Sequence, residues 1–104
     1  MPWVCLLLAG LLEIVWAFSM KQSQGFTRLF PTAITFLTMI GSFALLSVAM
    51  QRLPLGTAYA IWTGIGALGA FVVGIVVLGD PVTPARLAAA ALILAGLVLM
   101  KLSA

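Results

Sequence analysis

Trp3-Val4-Cys5-Leu6-Leu7-Leu8-Ala9-Gly10-Leu11-Leu12-Glu13-Ile14-Val15-Trp16-Ala17-Phe18-Ser19-Met20 is an apolar run with a single acid near its middle. At 1.5 Å per residue, about 20 such residues cross a hydrocarbon core about 30 Å thick. Trp3 at one end suits the membrane–water interface, and Lys21 closes the other. The run has no basic segment before it and no small-residue cleavage site after it, so it reads as a retained helix and not a removable leader.

Three further runs follow the same arithmetic. A second helix opens near Pro31, where a missing N–H is harmless in the first turn, and ends at Gln51-Arg52-Leu53-Pro54. A third ends at the turn signal Gly79-Asp80-Pro81, and Pro84 opens a fourth that Lys101 closes. The expected spans are about 3–20, 31–50, 56–78 and 85–100, with Gly25 supplying the first turn. The reading is an all-α membrane protein, one domain over residues 1–104 with four transmembrane helices. Short connections make neighbours antiparallel and put both termini on one side.

Composition agrees. Of 104 residues 64% are hydrophobic and 7% charged, against roughly 25% charged in soluble domains. So few charges leave large apolar patches if the chain is placed in water. The net charge of +3 comes from Lys21, Arg28, Arg52, Arg86 and Lys101, single residues at expected helix ends, which argues for interfacial anchoring and against nucleic acid. One cysteine, Cys5, no histidine and two carboxylates leave no metal-ligand set; Cys5 reads as packing, and no cofactor or enzymatic constellation is expected. Arg52 and Lys101 share the termini's side, against Lys21, Arg28 and Arg86 on the other. That near balance is either a chance scatter of few charges or the mark of a chain inserted in both orientations.

Glu13 is the residue that demands a function. An acid at mid-helix costs on the order of 3 kcal/mol on insertion scales, and such groups face a bundle interior or a cavity. No Lys or Arg lies at its depth, so the counter-charge must come and go, as a transported proton or cation does. The alternative is a protonated acid that only ties helices together. Helical spacing puts Gly10, Glu13, Trp16 and Ala17 on one face, where the Trp16 N–H has the acid as an obvious acceptor.

The second helix carries Thr32, Thr35, Thr38 and Ser42 along one face. The threonines are expected to bond their own helix's carbonyls, whereas Ser42 lies near mid-membrane and can reach a polar cavity. The third helix aligns Tyr59, Trp62, Thr63 and Gly66, an aromatic face that attracts cations, and a desolvated cation over such a ring gains about 2 kcal/mol. Gly66, Ala70 and Gly74 form a small-residue ridge for close helix approach, and Gly64-Ile65-Gly66 is a weak point where the helix is expected to bend. On the fourth helix Ala89 and Gly96 recur one heptad apart as packing surface, within a chain or between chains.

Taken together, Gly10 to Ala17, Lys21, Gly25 to Leu29 and Leu53-Pro54-Leu55-Gly56-Thr57-Ala58-Tyr59-Ala60-Ile61-Trp62-Thr63-Gly64-Ile65-Gly66 resemble the small multidrug resistance family of bacterial exporters over essentially the whole chain. Trp16, three residues after the acid, resembles the guanidinium-exporter subtype; the broad multidrug subtype has a small residue there. The resemblance implies an antiparallel, dual-topology homodimer in the bacterial inner membrane. Both copies of Glu13 then line one site for substrate and proton, surrounded by Gly10, Trp16, Ser42, Tyr59 and Trp62. It also implies dimer contacts through Ala89 and Gly96, although glycine often stands in the family where this chain has Ala89.

The expected activity is proton-coupled export of guanidinium and small guanidinylated cations. Two other readings stay open at the level of sequence: a broad quaternary ammonium exporter using the same Glu13 and aromatics, and a non-transport membrane assembly subunit.

Overall fold

The computed structural model describes residues 2–103. Its helices are α1 (Pro2–Gln22), α2 (Leu29–Met50), α3 (Leu55–Val76) and α4 (Pro84–Leu102), with no strand among the described residues. Each is long and apolar enough to cross a membrane. The shortest, at 19 residues, is about 29 Å long at 1.5 Å per residue.

The helix ends have local causes. α2 begins at Leu29, ahead of Pro31, because Arg28 takes an extended conformation and serves as N-cap. Pro31 then still falls in the first turn, where no intrahelical N–H bond is required. α4 begins at Pro84, and the Thr83 hydroxyl accepts from the Arg86 N–H at 3.1 Å, which satisfies one of the otherwise free donors of that turn. The first connection is more demanding than one glycine turn. Gln24, Gly25 and Phe26 have φ of 51°, 74° and 67°, a conformation that costs the two non-glycine residues energy. The buried Ser23 holds it: its hydroxyl donates to the Met20 carbonyl at 2.6 Å and accepts from the Phe26 N–H at 3.1 Å.

The helices lie side by side. α1 packs on both α2 and α3, α2 and α3 touch only lightly, and the backbone of α4 comes close to that of α3 alone. The molecule is therefore a slab, 16 Å across its thinnest direction, with α1 at the centre. Its apolar core gathers Leu6 and Ala9 of α1, Leu46 and Ala49 of α2, and Ala58, Ile61 and Trp62 of α3. α4 contributes no buried residue.

Glycines set the α1–α3 distance. A Cβ at Gly10 meets the Ile65 side chain, one at Gly66 runs into the Glu13 carboxyl, and one at Gly69 into Ile14. The close-approach face is thus Gly66 and Gly69, and the Gly66-Ala70-Gly74 ridge expected from spacing is not the one used. Ala70 is exposed, and the chain that approaches Gly74 is the Asp80 loop, not a helix. Ridge residues three apart face a neighbour as well as residues four apart do, and the crossing angle selects between them.

Candidate functional site

The site grows from the central position of α1. Glu13 is half-buried with its carboxyl against Gly66 of α3. Its Oε1 is enclosed and takes no hydrogen bond among the described residues. The cations stand far along the chain from it: Lys21 in the last turn of α1, Arg28 at the N-cap of α2, Arg52 between α2 and α3, Arg86 in the first turn of α4 and Lys101 in its last. A buried acceptor left unpaired is costly, which sets Glu13 apart from the rest of α1.

Trp16 corrects the sequence expectation. Its indole Nε1 is buried and also lacks a partner, so it does not donate to Glu13. The ring instead makes an edge-on contact with Phe43 of α2, centroids 6.4 Å apart at 69°. Residues three apart share a helix face, but side chains leave it in different directions, and α2 draws the indole while α3 draws the acid.

Ser42 ties three helices together. Its hydroxyl donates to the Ala9 carbonyl of α1 at 2.7 Å and accepts from Trp62 Nε1 of α3 at 2.9 Å. It is fully buried and fills a packed junction where the sequence suggested a polar cavity. Thr32, Thr35 and Thr38 do bond within α2, to the carbonyls of Arg28, Pro31 and Ile34 at 2.6, 2.8 and 2.7 Å. Ser42 differs because the packing of α2 on α1 brings the Ala9 carbonyl within its reach.

An aromatic row continues from there. Phe43 lies 5.7 Å from Trp62, and Tyr59 lies 5.5 Å from it, both tilted. Trp62 is buried, while Tyr59 is 53% exposed. The row Trp16–Phe43–Trp62–Tyr59 crosses α1, α2 and α3. Phe43 was not singled out from sequence: one phenylalanine in an apolar helix carries no signal, and only its place next to Ser42 hinted at it.

The remaining residues fall outside this cluster. α3 runs without interruption through Gly64 and Gly66, and the two glycines face different neighbours, Leu97 of α4 and Glu13. In this conformation they serve close packing and α3 has no break at them. Gly10 is buried against Ile65 one turn from the acid. Ala89 and Gly96 are exposed, and no other side chain comes within 4 Å of a Cβ built at Gly96. Cys5 is half-buried and free, and no cluster of metal-binding side chains exists among the described residues.

Known proteins are similar to this chain in sequence over nearly its whole length. Residues 1–93 match the family described as Small Multidrug Resistance protein. The chain is 58% identical over 104 residues to the guanidinium exporter of Salmonella typhimurium (strain LT2), covering 100% of this chain and 99% of that protein. It is 57% identical over 103 residues to the guanidinium exporter of Citrobacter freundii, and 56% identical over 103 residues to that of Escherichia coli (strain K12), in each case covering 99% of this chain and 98% of the relative. With four membrane-length helices, an acid enclosed at mid-helix and matches of this extent, the chain belongs to the Small Multidrug Resistance protein family.

Proposed function

We propose that this chain exports guanidinium and small guanidinylated cations in exchange for protons, working in the bacterial inner membrane as an antiparallel homodimer whose two copies insert in opposite orientations. The observation that carries the reading is Glu13: an enclosed carboxyl oxygen without a hydrogen-bond donor, in a chain whose five cations all stand at helix ends. Such a group takes a proton or a cation, one excluding the other. Protons from outside discharge the acid, and substrate from inside displaces them. The printed names of the relatives, guanidinium exporter, supply the substrate.

Guanidinium is planar, always charged and donates in a fixed fork that suits a carboxylate side-on. Aromatic faces stabilise it further, and Trp16, Trp62 and Tyr59 offer them. Gly10 and Gly66 keep the space around the acid narrow, and Ser42 orients Trp62. The dimer reading is supported by the thin slab and by α4, which leaves Ala89 and Gly96 uncovered. An inverted pair also supplies the repeat from which many transporters build alternating access.

Uptake of radiolabelled guanidinium into proteoliposomes bearing an outward or inward pH gradient tests the proposal. Uptake should follow the gradient's direction and vanish when the gradient is collapsed. Accumulation indifferent to the gradient would remove the coupling, and quaternary ammonium transport without guanidinium transport would replace the substrate.

A further inference from the structure

The backbone of α4 comes close to that of α3 only, and Leu97 there fills the space beside Gly64. On the side of the termini, α1, α3 and α4 enclose a wedge of about 450 Å³ lined by Leu7, Ile61, Ile65 and Leu97 among others. Its walls are apolar throughout apart from one end. There the Lys101 ammonium sits 4.7 Å from the centroid of the Trp3 ring, both residues lining the wedge. The two side-chain carboxylates lie elsewhere, Glu13 at mid-helix and Asp80 in the α3–α4 connection at the opposite end of the bundle.

Tryptophan and lysine at a helix end mark the level of the lipid headgroups. An ammonium braced on an indole at that level, above an apolar slot open to the hydrocarbon, has the polarity profile of one molecule: anionic head, aliphatic tail. We infer that the wedge between α1, α3 and α4 is a binding site for an anionic phospholipid, with its phosphate on Lys101 and one acyl chain lying along Leu7, Ile65 and Leu97. The site is separate from Glu13, and the inference does not depend on what the protein transports. A zwitterionic lipid fills the slot equally well but brings its own cation to the headgroup level, so Lys101 selects for net negative charge.

The experiment uses the purified full-length protein in mixed micelles with phosphatidylglycerol carrying a photoreactive diazirine on one acyl chain, and the same probe with a phosphatidylcholine head. Crosslinks mapped by mass spectrometry should fall on the peptides holding Leu7 and Val98, with the phosphatidylglycerol probe favoured. Lys101→Gln should lower its yield about fivefold, the factor one lysine is worth near an anionic surface, and bring the two probes level. Leu7→Trp, at a half-exposed position on the wedge wall, should abolish crosslinking there while circular dichroism and gel filtration stay unchanged. Equal yields for the two heads in the wild type, or a yield indifferent to both substitutions, overturns the site. A Leu7→Trp protein that changes its oligomeric state instead assigns the wedge to a second copy of the chain and overturns it as well.

Discussion

The Glu13 carboxyl rests on the bare backbone of Gly66, so closely that a methyl group built there overlaps Oε1 and Cδ of the acid. The position of the central acid is therefore set by a missing side chain on another helix. Gly66→Ala pushes the carboxyl out of its place, and misplacement of a functional group by about 1 Å costs on the order of a hundredfold in rate. Guanidinium uptake should fall by about that factor, with the helical content and the oligomeric state unchanged. Undiminished uptake would show that the acid has freedom the close contact denies.

Glu13→Gln keeps the size of the side chain and removes its charge exchange. Gradient-driven guanidinium uptake should drop to the level of empty liposomes, while circular dichroism and gel filtration match the wild type. Wild-type exchange in this variant would reject Glu13 as the shared site of proton and substrate.

Ser42→Ala removes both bonds of the junction, leaving Trp62 Nε1 and the Ala9 carbonyl without it. Interhelical hydrogen bonds in membrane proteins are worth about 0.6 to 2 kcal/mol, so denaturant unfolding should show a destabilisation of about 1 kcal/mol. Trp62 emission should change with it, since its indole N–H loses a buried partner. A variant as stable as the wild type, with unshifted emission, would mean that Ser42 does not hold the three helices.

Trp16→Gly opens the space between α1 and Phe43. The ratio of transport rates for guanidinium over a bulkier planar cation should fall by about tenfold, the low end of what pocket shape alone supplies in discrimination. An unchanged ratio would separate substrate selection from Trp16.

Dual insertion is tested with a single cysteine at either terminus in a background lacking Cys5. Impermeant reagent should label it from both sides of the membrane, because Lys21, Arg28 and Arg86 oppose Arg52 and Lys101 almost evenly. Lysines added after Lys101 should bias the termini to the cytoplasm, lose transport and regain it beside an oppositely biased copy. One-sided labelling of an active, unmodified chain would remove the antiparallel pair.

Much was legible in the sequence because bilayer physics is one-dimensional. Four apolar runs of the right length, bounded by Pro31, Pro54, Pro84 and single cations, specify four helices without reference to one another, since each satisfies its own backbone. Glu13 stood out for the same reason: its insertion cost is a property of depth along one helix. The threonine bonds within α2 were equally local.

What only the tertiary structure decided is which faces meet. Spacing put Trp16 beside Glu13 and aligned Gly66 with Gly74, but α1 lies between α2 and α3 and is pulled both ways, the indole to Phe43 and the acid to Gly66. The helices are apolar nearly all round, so hydrophobicity does not rank their faces, and steric fit at Gly10, Gly64, Gly66 and Gly69 does. Ser42 became a junction and not a cavity wall for the same reason: the carbonyl it meets belongs to a helix 33 residues away in sequence, brought there by packing alone.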